Sequence, residues 1–444
     1  MKTVARLLLG LTLFLFFSAA AAQKKAASSG SSASHKLVAL KVTGITSYSD
    51  KEILAASGLQ IGQNAADGDF KEAVQSLGDS GMFSAASYSY STSASGVRLE
   101  IQLSDVDRSK LVPAQFENFV WFSDEELRAG LLGRVSLFKG LLPLGGNLPD
   151  HVTEALQAML TEKRLPGRVT FLRNPDRQTG TVTSINYRVE EASIRIRGVE
   201  FLGASPEQTV LLTKASRVLI GAEYSRTAIA AVAKLDLLPV YFQRGYLKAD
   251  FDSSSARVVK QSSADADAQS AEIEVDAILP VTPGRIYSTS GVDWRGNSAL
   301  SATELAALVH LPVGEPADTV RLRRDLDNLG KLYRSRGYMM AQIKPDSQLN
   351  DDNGTVHYEL NIVEGDLFRM GELDLNGLNT GTIARLRAAW TLHEGQPYNA
   401  NYPAKFVEDT REMLPRGVQW KVSVHETPDA RDKTVDVDIR FTQQ

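Results

Sequence analysis

Apolar and polar residues alternate in the same way at five places along the chain: residues 97–103 (Val-Arg-Leu-Glu-Ile-Gln-Leu), 185–190, 273–277, 356–362 and 435–441. A period of two is that of a strand with one face on a core and the other in water. The copies lie roughly 75 to 95 residues apart, too far for a solenoid repeat and about right for small domains in series.

Each copy closes a longer pattern. The first unit opens with an alternating strand over 38–42, ended by Gly44, and continues with Ser49-Asp-Lys-Glu52. That spacing predicts a capping box, in which serine accepts from a backbone N–H and glutamate reaches back to the cap. It recurs at Ser123/Glu126, Ser205/Gln208 and Ser301/Glu304, each time ahead of a short helix. The fifth unit lacks the box and starts its helix at Asn379-Thr380. A second helix has apolar residues at helical spacing, as in Leu322, Leu326, Leu329 and Tyr333, or Val152, Leu156, Met159 and Leu160. It stops on a glycine each time: Gly81, Gly167, Gly245, Gly337 and Gly417. A further strand is then predicted over 83–90, 169–172, 247–251, 340–344 and 420–424, and a polar turn leads into the alternating strand.

The predicted fold class is therefore α+β: five tandem β-α-α-β-β modules, each a three-stranded mixed sheet packed against two helices. The expected bounds are 36–107, 108–191, 192–283, 284–365 and 366–444. Linkers of a few residues, such as Pro283-Gly284 and 363–366, predict that neighbouring modules touch.

Composition narrows the chemistry. The 444 residues carry a formal net charge of -4, which favours neither nucleic acid nor an anionic surface. No cysteine is present, which excludes disulfides and thiolate catalysis. Lys2, Arg6, an apolar run over 7–17 and Ala20-Ala21-Ala22 read as an export signal (1–22) cleaved after Ala22. Residues 23–35 are expected to be a disordered, Ser/Ala-rich linker. The histidines are scattered without metal-ligand spacing, and Gly145-Gly146 lacks a P-loop lysine. No catalytic residue, metal, cofactor or small-molecule substrate is expected.

Three motifs stand in register across the repeats: Gly-Asn or Asn-Gly after the first strand (Gly296-Asn297, Asn376-Gly377), Arg-Gly-Tyr after the second helix (Arg244-Gly245-Tyr246, Arg336-Gly337-Tyr338), and Val363-Glu364-Gly365 at the end of a module. With them the chain resembles the POTRA domains, the polypeptide-transport-associated modules of the Omp85 outer-membrane assembly proteins. Five such modules look like the periplasmic arm of the BamA-type factor, here without its barrel. The resemblance implies an exported, periplasmic protein at or near the outer membrane. It implies as partners unfolded outer-membrane proteins or barrel-assembly components; a free-standing periplasmic relative and one half of a split system with a separate barrel protein are the two alternatives.

In that family the strand after the helices lies at a sheet edge, where an extended client can pair with it. The expected client-binding edge residues are Phe83, Tyr88, Tyr90, Val169, Phe171, Leu247, Ala249, Phe251, Met340, Gln342, Trp420 and Val422. The apolar stretch 135–145 between the helices of the second unit reads as a loop, with Leu137, Phe138, Leu141 and Leu142 as a partner contact. Packing of that loop on its own module is the alternative. For the whole chain the alternative is a hub or spacer that docks folded envelope proteins and binds no client.

Overall fold

The computed structural model describes residues 34–262 and 271–443. The expected cleavage at Ala22 and all but the end of the expected linker lie outside them; His35 already begins the first strand. The chain divides into two compact units. One holds the described residues up to Val112 together with Leu132–Val152; the other holds Pro113–Leu131 and everything from Thr153 onward.

In the first unit β1 (His35–Thr43), α1 (Asp50–Ala56), β2 (Asn64–Ala65), α2 (Asp67–Asp79), β3 (Phe83–Ser93) and β4 (Gly96–Asp105) form a sheet of order β2-β1-β4-β3. β1 runs parallel to β4, and β3 pairs antiparallel with its other side. The alternation is realised in β4: Val97, Leu99, Ile101 and Leu103 are buried, whereas Arg98, Glu100 and Gln102 are exposed.

Next come β5 (Leu111–Phe116), α3 (Asp124–Arg134), β6 (Leu141–Pro143), α4 (Leu148–Glu162), β7 (Arg168–Pro175) and β8 (Val182–Glu190), in the sheet order β6-β5-β8-β7. A third sheet has β9 (Ala192–Leu202), α5 (Pro206–Ala215), α6 (Arg226–Val232), α7 (Leu238–Phe242), β10 (Asp250–Phe251), β11 (Ser255–Gln261) and β12 (Ala271–Thr282). β9 pairs parallel with β12, while β11 and β10 pair antiparallel with successive stretches of it, at Ile273–Ile278 and at Val281–Thr282. The fourth has β13 (Ser288–Arg295), α8 (Ala302–Leu308), α9 (Thr319–Ser335), β14 (Gln342–Asn350) and β15 (Thr355–Val363), in the order β13-β15-β14. The fifth has β16 (Arg369–Asn376), α10 (Thr380–Ala389), α11 (Tyr402–Asp409), β17 (Trp420–Asp429) and β18 (Thr434–Gln443), in the order β16-β18-β17.

The α+β class is as expected, but the units are not uniform copies. The second sheet gains β6. In the third, a π-helical stretch at Ala233–Leu237 joins α6 to α7, and the hairpin's first strand is broken in two. The fifth unit's second helix lasts only eight residues.

The predicted caps form. Ser49, Ser205 and Ser301 each accept from the backbone N–H three residues on, and Glu52, Gln208 and Glu304 each accept from the cap's own N–H. Asn379 caps α10 alone, through its bond from Thr382 N–H. Gly296 and Gly377 leave the first strand at φ of +81° and +92°. A Cβ at either would collide with a carbonyl oxygen of the central strand, Ile362 or Phe441, so glycine there is a steric requirement.

Within the second unit, consecutive sheets share a joint. Tyr287 N–H donates to Gly245 O at 2.8 Å, and Ala317 N–H to Tyr287 O at 2.9 Å. One sheet later Phe368 N–H donates to Gly337 O at 2.8 Å, and Tyr398 N–H to Phe368 O at 2.9 Å. The side chains after each glycine cross over as well: Leu247 packs on the fourth sheet's core and Met339 on the fifth's. Asp351 ties the first of these joints further, accepting from Lys248 Nζ and Tyr287 Oη at 2.6 Å each. Between the second and third sheets the Glu117 carboxylate accepts from Ser225 Oγ (2.9 Å) and Thr227 N–H (3.1 Å).

The apolar stretch 135–145 is not an exposed patch. Leu137, Phe138 and Leu142 are buried and Leu141 is half-buried. Its hydrophobicity serves the first unit, where polar bonds fix it. Tyr48 Oη donates to Leu137 O (2.8 Å), Ser136 Oγ donates to Glu52 O (3.0 Å), and Lys139 Nζ lies 2.7 Å from Glu52 Oε1. Burial of the Tyr48 hydroxyl, with Asp105 and Glu52 nearby, pushes its pKa up to about 12. The Lys139 ammonium, followed by the Ser49 backbone N–H, holds Glu52 down to about 2.

A carboxylate with a depressed native pKa stabilises the fold fully above its ordinary value of 4.5, and that contribution is lost as pH falls through about 2. The first unit is therefore expected to lose stability across this window in acid. Glu52→Gln should flatten that part of the acid-unfolding curve, as followed by circular dichroism.

Candidate functional site: the sheet edges

Every sheet places its chain-final strand in the centre, so two edges remain. The first-strand edge is filled by the chain itself. In the first sheet Leu37 N–H donates to Gln63 O (2.8 Å) and Gly62 N–H to Leu37 O (2.7 Å). The same exchange joins Ile196 to Ala222 and Gly221, Thr289 to Glu315 and Gly314, and Met370 to Gln396 and Gly395. In the second sheet β6 takes this place. Neither the strand alternation nor the capping pattern announces these loops. Their signal is a glycine a few residues after the first helix, at Gly62, Gly221, Gly314 and Gly395.

The opposite edge is formed by β3, β7, β10 with β11, β14 and β17. Among the described residues, none of these has a strand on its outer side. Alternate N–H and C=O groups of such strands point away from the sheet. A cleft of 570 Å³ runs beside β3, between it and α2, lined by Lys71, Val74, Gly78, Ala86 and Tyr88 among others. One of 970 Å³ accompanies the start of β17, with Val407, Arg411, Leu414, Trp420 and Val422 in its walls. A strand added at either edge would lay every second side chain in the cleft.

The expected edge residues fall into three groups. Phe83 and Val169 are on edge strands but buried, so their side chains belong to the core. Tyr88, Phe171, Phe251, Trp420 and Val422 are half-buried on the edge strands, while Tyr90 and Gln342 are exposed there. Tyr88 and Tyr90 rest on Phe70, with ring centroids at 6.4 and 5.2 Å. Phe171 lies 5.7 Å from Tyr187, and Phe251 lies 6.0 Å from Tyr241.

Leu247, Ala249 and Met340 are not on strands at all. The chain makes tight turns after Gly245 and Gly337, with Leu247 N–H bonded to Gly245 O and Ala341 N–H to Tyr338 O. The expected strands over 247–251 and 340–344 therefore start late, at Asp250 and Gln342. Leu247 packs on the next sheet's core and Ala249 is buried, whereas Met340 is exposed.

The edges also differ in how they are protected. β3 runs eleven residues without a charge or proline. β14 contains Pro345, which has no N–H to offer an incoming strand. On β7, Val169 N–H is taken by Gln157 Oε1 of α4 at 2.8 Å, and Gln157 Nε2 donates back to Gly167 O at 3.3 Å. Among the described residues no group of three or more His, Asp or Glu is placed to hold a metal, and no helix is long and apolar enough to cross a membrane.

Residues 287–365 match the POTRA family model, described as a surface antigen variable number repeat. A Treponema pallidum (strain Nichols) protein described as an outer membrane protein assembly factor is 21% identical over 221 residues, 50% of this chain. The matched stretch spans 25% of that relative's length. Similar solved structures include POTRA domains 3–5 of Haemophilus influenzae BamA (16% identity, TM-score 0.42, covering 56% of this chain and 95% of that one). The N-terminal domain of Omp85 from Thermosynechococcus elongatus is also similar, at 16% identity and a TM-score of 0.23, with 56% and 97% covered.

Gln157→Ala is expected to speed amide exchange at Val169 selectively and to cost about 1 kcal/mol in urea unfolding. Unchanged exchange at Val169 would show that the glutamine does not shield this edge. Residues 287–365 thus match the POTRA family, and half of the chain is similar to a protein described as an outer membrane protein assembly factor.

Proposed function

We propose that the chain is an array of five POTRA-like domains, over 36–107, 108–191, 192–283, 284–365 and 366–444, that supports outer-membrane protein assembly. In this reading it holds unfolded outer-membrane proteins, or components of the assembly machinery, by strand addition at β3, β7, β11, β14 and β17. The observation that carries the reading is the asymmetry of the sheets: the chain closes the first-strand edge with its own loop and leaves the other edge open. The POTRA match and the assembly-factor relative supply the context.

Backbone pairing is worth about 0.5–1.5 kcal/mol net per hydrogen bond, so one edge gives weak, reversible capture. Several edges on one chain raise the avidity through effective concentration. Pairing through the backbone reads little side-chain identity, which suits clients of many sequences. In this reading the protein is non-enzymatic, needs no cofactor and acts in the periplasm. A hub for folded envelope proteins is the second reading. Pro345 on β14 favours it for the fourth domain, because that edge is partly disarmed.

Photocrosslinkers at Tyr90, Gln342 and Val422 separate the two. Capture of unfolded barrel precursors at Tyr90 and Val422, competed by an excess of unlabelled precursor, is the expected result. Capture of folded envelope proteins alone would leave only the hub.

A further inference from the structure

We propose that the outer face of α9 is a docking surface for an acidic helix of a partner protein. In a chain of net charge -4, this helix concentrates positive charge. Arg323, Arg324, Lys331 and Arg334 are all exposed, and at 100° per residue they fall on one side of the helix, with Asp327 as the acid among them. The opposite side, Leu322, Leu329 and Tyr333, fills the fourth sheet's core. None of these four cations has an ion-pair partner among the described residues, whereas Arg295 and Arg336 of the same sheet are paired with Glu359 and Glu304 at 2.8 Å each.

The helix dipole favours Arg334, in the last turn of α9, but not the arginines at its start. α1, α2, α3, α5 and α8 each begin with acidic residues, as the helix dipole favours. α9 has none in its first turn; it has Arg321 there, with Arg323 and Arg324 close behind. α6 also begins with an arginine, Arg226, but Asp124 sits 2.5 Å from it. At the start of α9 Arg321 has Asp325 at 4.0 Å, whereas Arg323 and Arg324 just behind it have no ion-pair partner among the described residues.

At this end a pocket of 450 Å³ opens, lined by Gln243, His310, Arg321 and Arg324 together with Asp318 and Asp325. Both acids are already engaged: Asp318 caps Arg321 N–H at 2.8 Å and Asp325 accepts His310 N–H at 2.9 Å. The Arg324 guanidinium and the Gln243 amide are left for an incoming carboxylate.

The shape selects a helix. Arg323 to Arg334 spans about 16 Å along the axis, or roughly three turns. Glutamates at helical spacing on a partner would meet the stripe in sequence. A membrane fits less well, because along this face only the half-buried Val320 could enter a lipid layer and the net charge repels an anionic surface.

The test uses the full chain and a synthetic helical peptide with glutamates at every third and fourth position, followed by fluorescence anisotropy at low and moderate salt. The triple variant Arg324→Glu, Lys331→Glu, Arg334→Glu should weaken binding at least about tenfold, as three surface attractions turned into repulsions would. It should also gain affinity for the matching lysine peptide. Arg177→Glu, in the β7–β8 turn, should change nothing. If the triple reversal misfolds by circular dichroism, the glutamine triple variant must still weaken binding. Equal binding by wild type and variants overturns the proposal, as does equal weakening by Arg177→Glu. Vesicles of phosphatidylcholine and phosphatidylglycerol that bind through the same residues, when the peptide does not, would assign the face to a membrane instead.

Discussion

The structure depends on the parallel pairing of each unit's first strand with its last. β1 with β4, β5 with β8, β9 with β12, β13 with β15 and β16 with β18 all pair this way. A parallel pair needs a crossover, and the two helices supply it. Once the last strand is central, its hairpin partner can only lie on its far side. The open edges therefore follow from chain connectivity, independent of side chains.

That constraint also explains why the two edges have different fates. The first strand is followed at once by a helix, and the chain leaving that helix passes close to the strand again. A glycine there lets the loop bond back to the strand, as Gly314 does to Thr289. The hairpin strand has no such returning segment. Its protection, where present, comes from individual residues, such as Pro345 on β14, Pro428 on β17 and Gln157 against β7.

Much of this was legible in the sequence because the signals are local. The alternation of β4 and β15, the serine caps and the apolar stripe of α9 each report on a few neighbouring residues. Signals that serve distant contacts were misread. Leu247 looked like strand because it is apolar and follows Tyr246, yet its hydrophobicity belongs to the next sheet's core. The stretch around Leu137 and Phe138 could be read as a partner contact or as packed on its own module; both side chains are buried, and the contact that fixes Leu137 comes from Tyr48, far away in sequence. The loops that fill the first-strand edges are held by a few backbone bonds and have little side-chain signature beyond a glycine.

The joints bear on how the chain can be divided. A cut at Pro283, between the third and fourth sheets, would separate Tyr287 from the Gly245 carbonyl and Asp351 from Lys248. It would also uncover the part of the fourth core on which Leu247 packs. A fragment begun there starts with an exposed wound on its apolar interior, so the smallest faithful piece of this region begins upstream, at the helix that carries Tyr241.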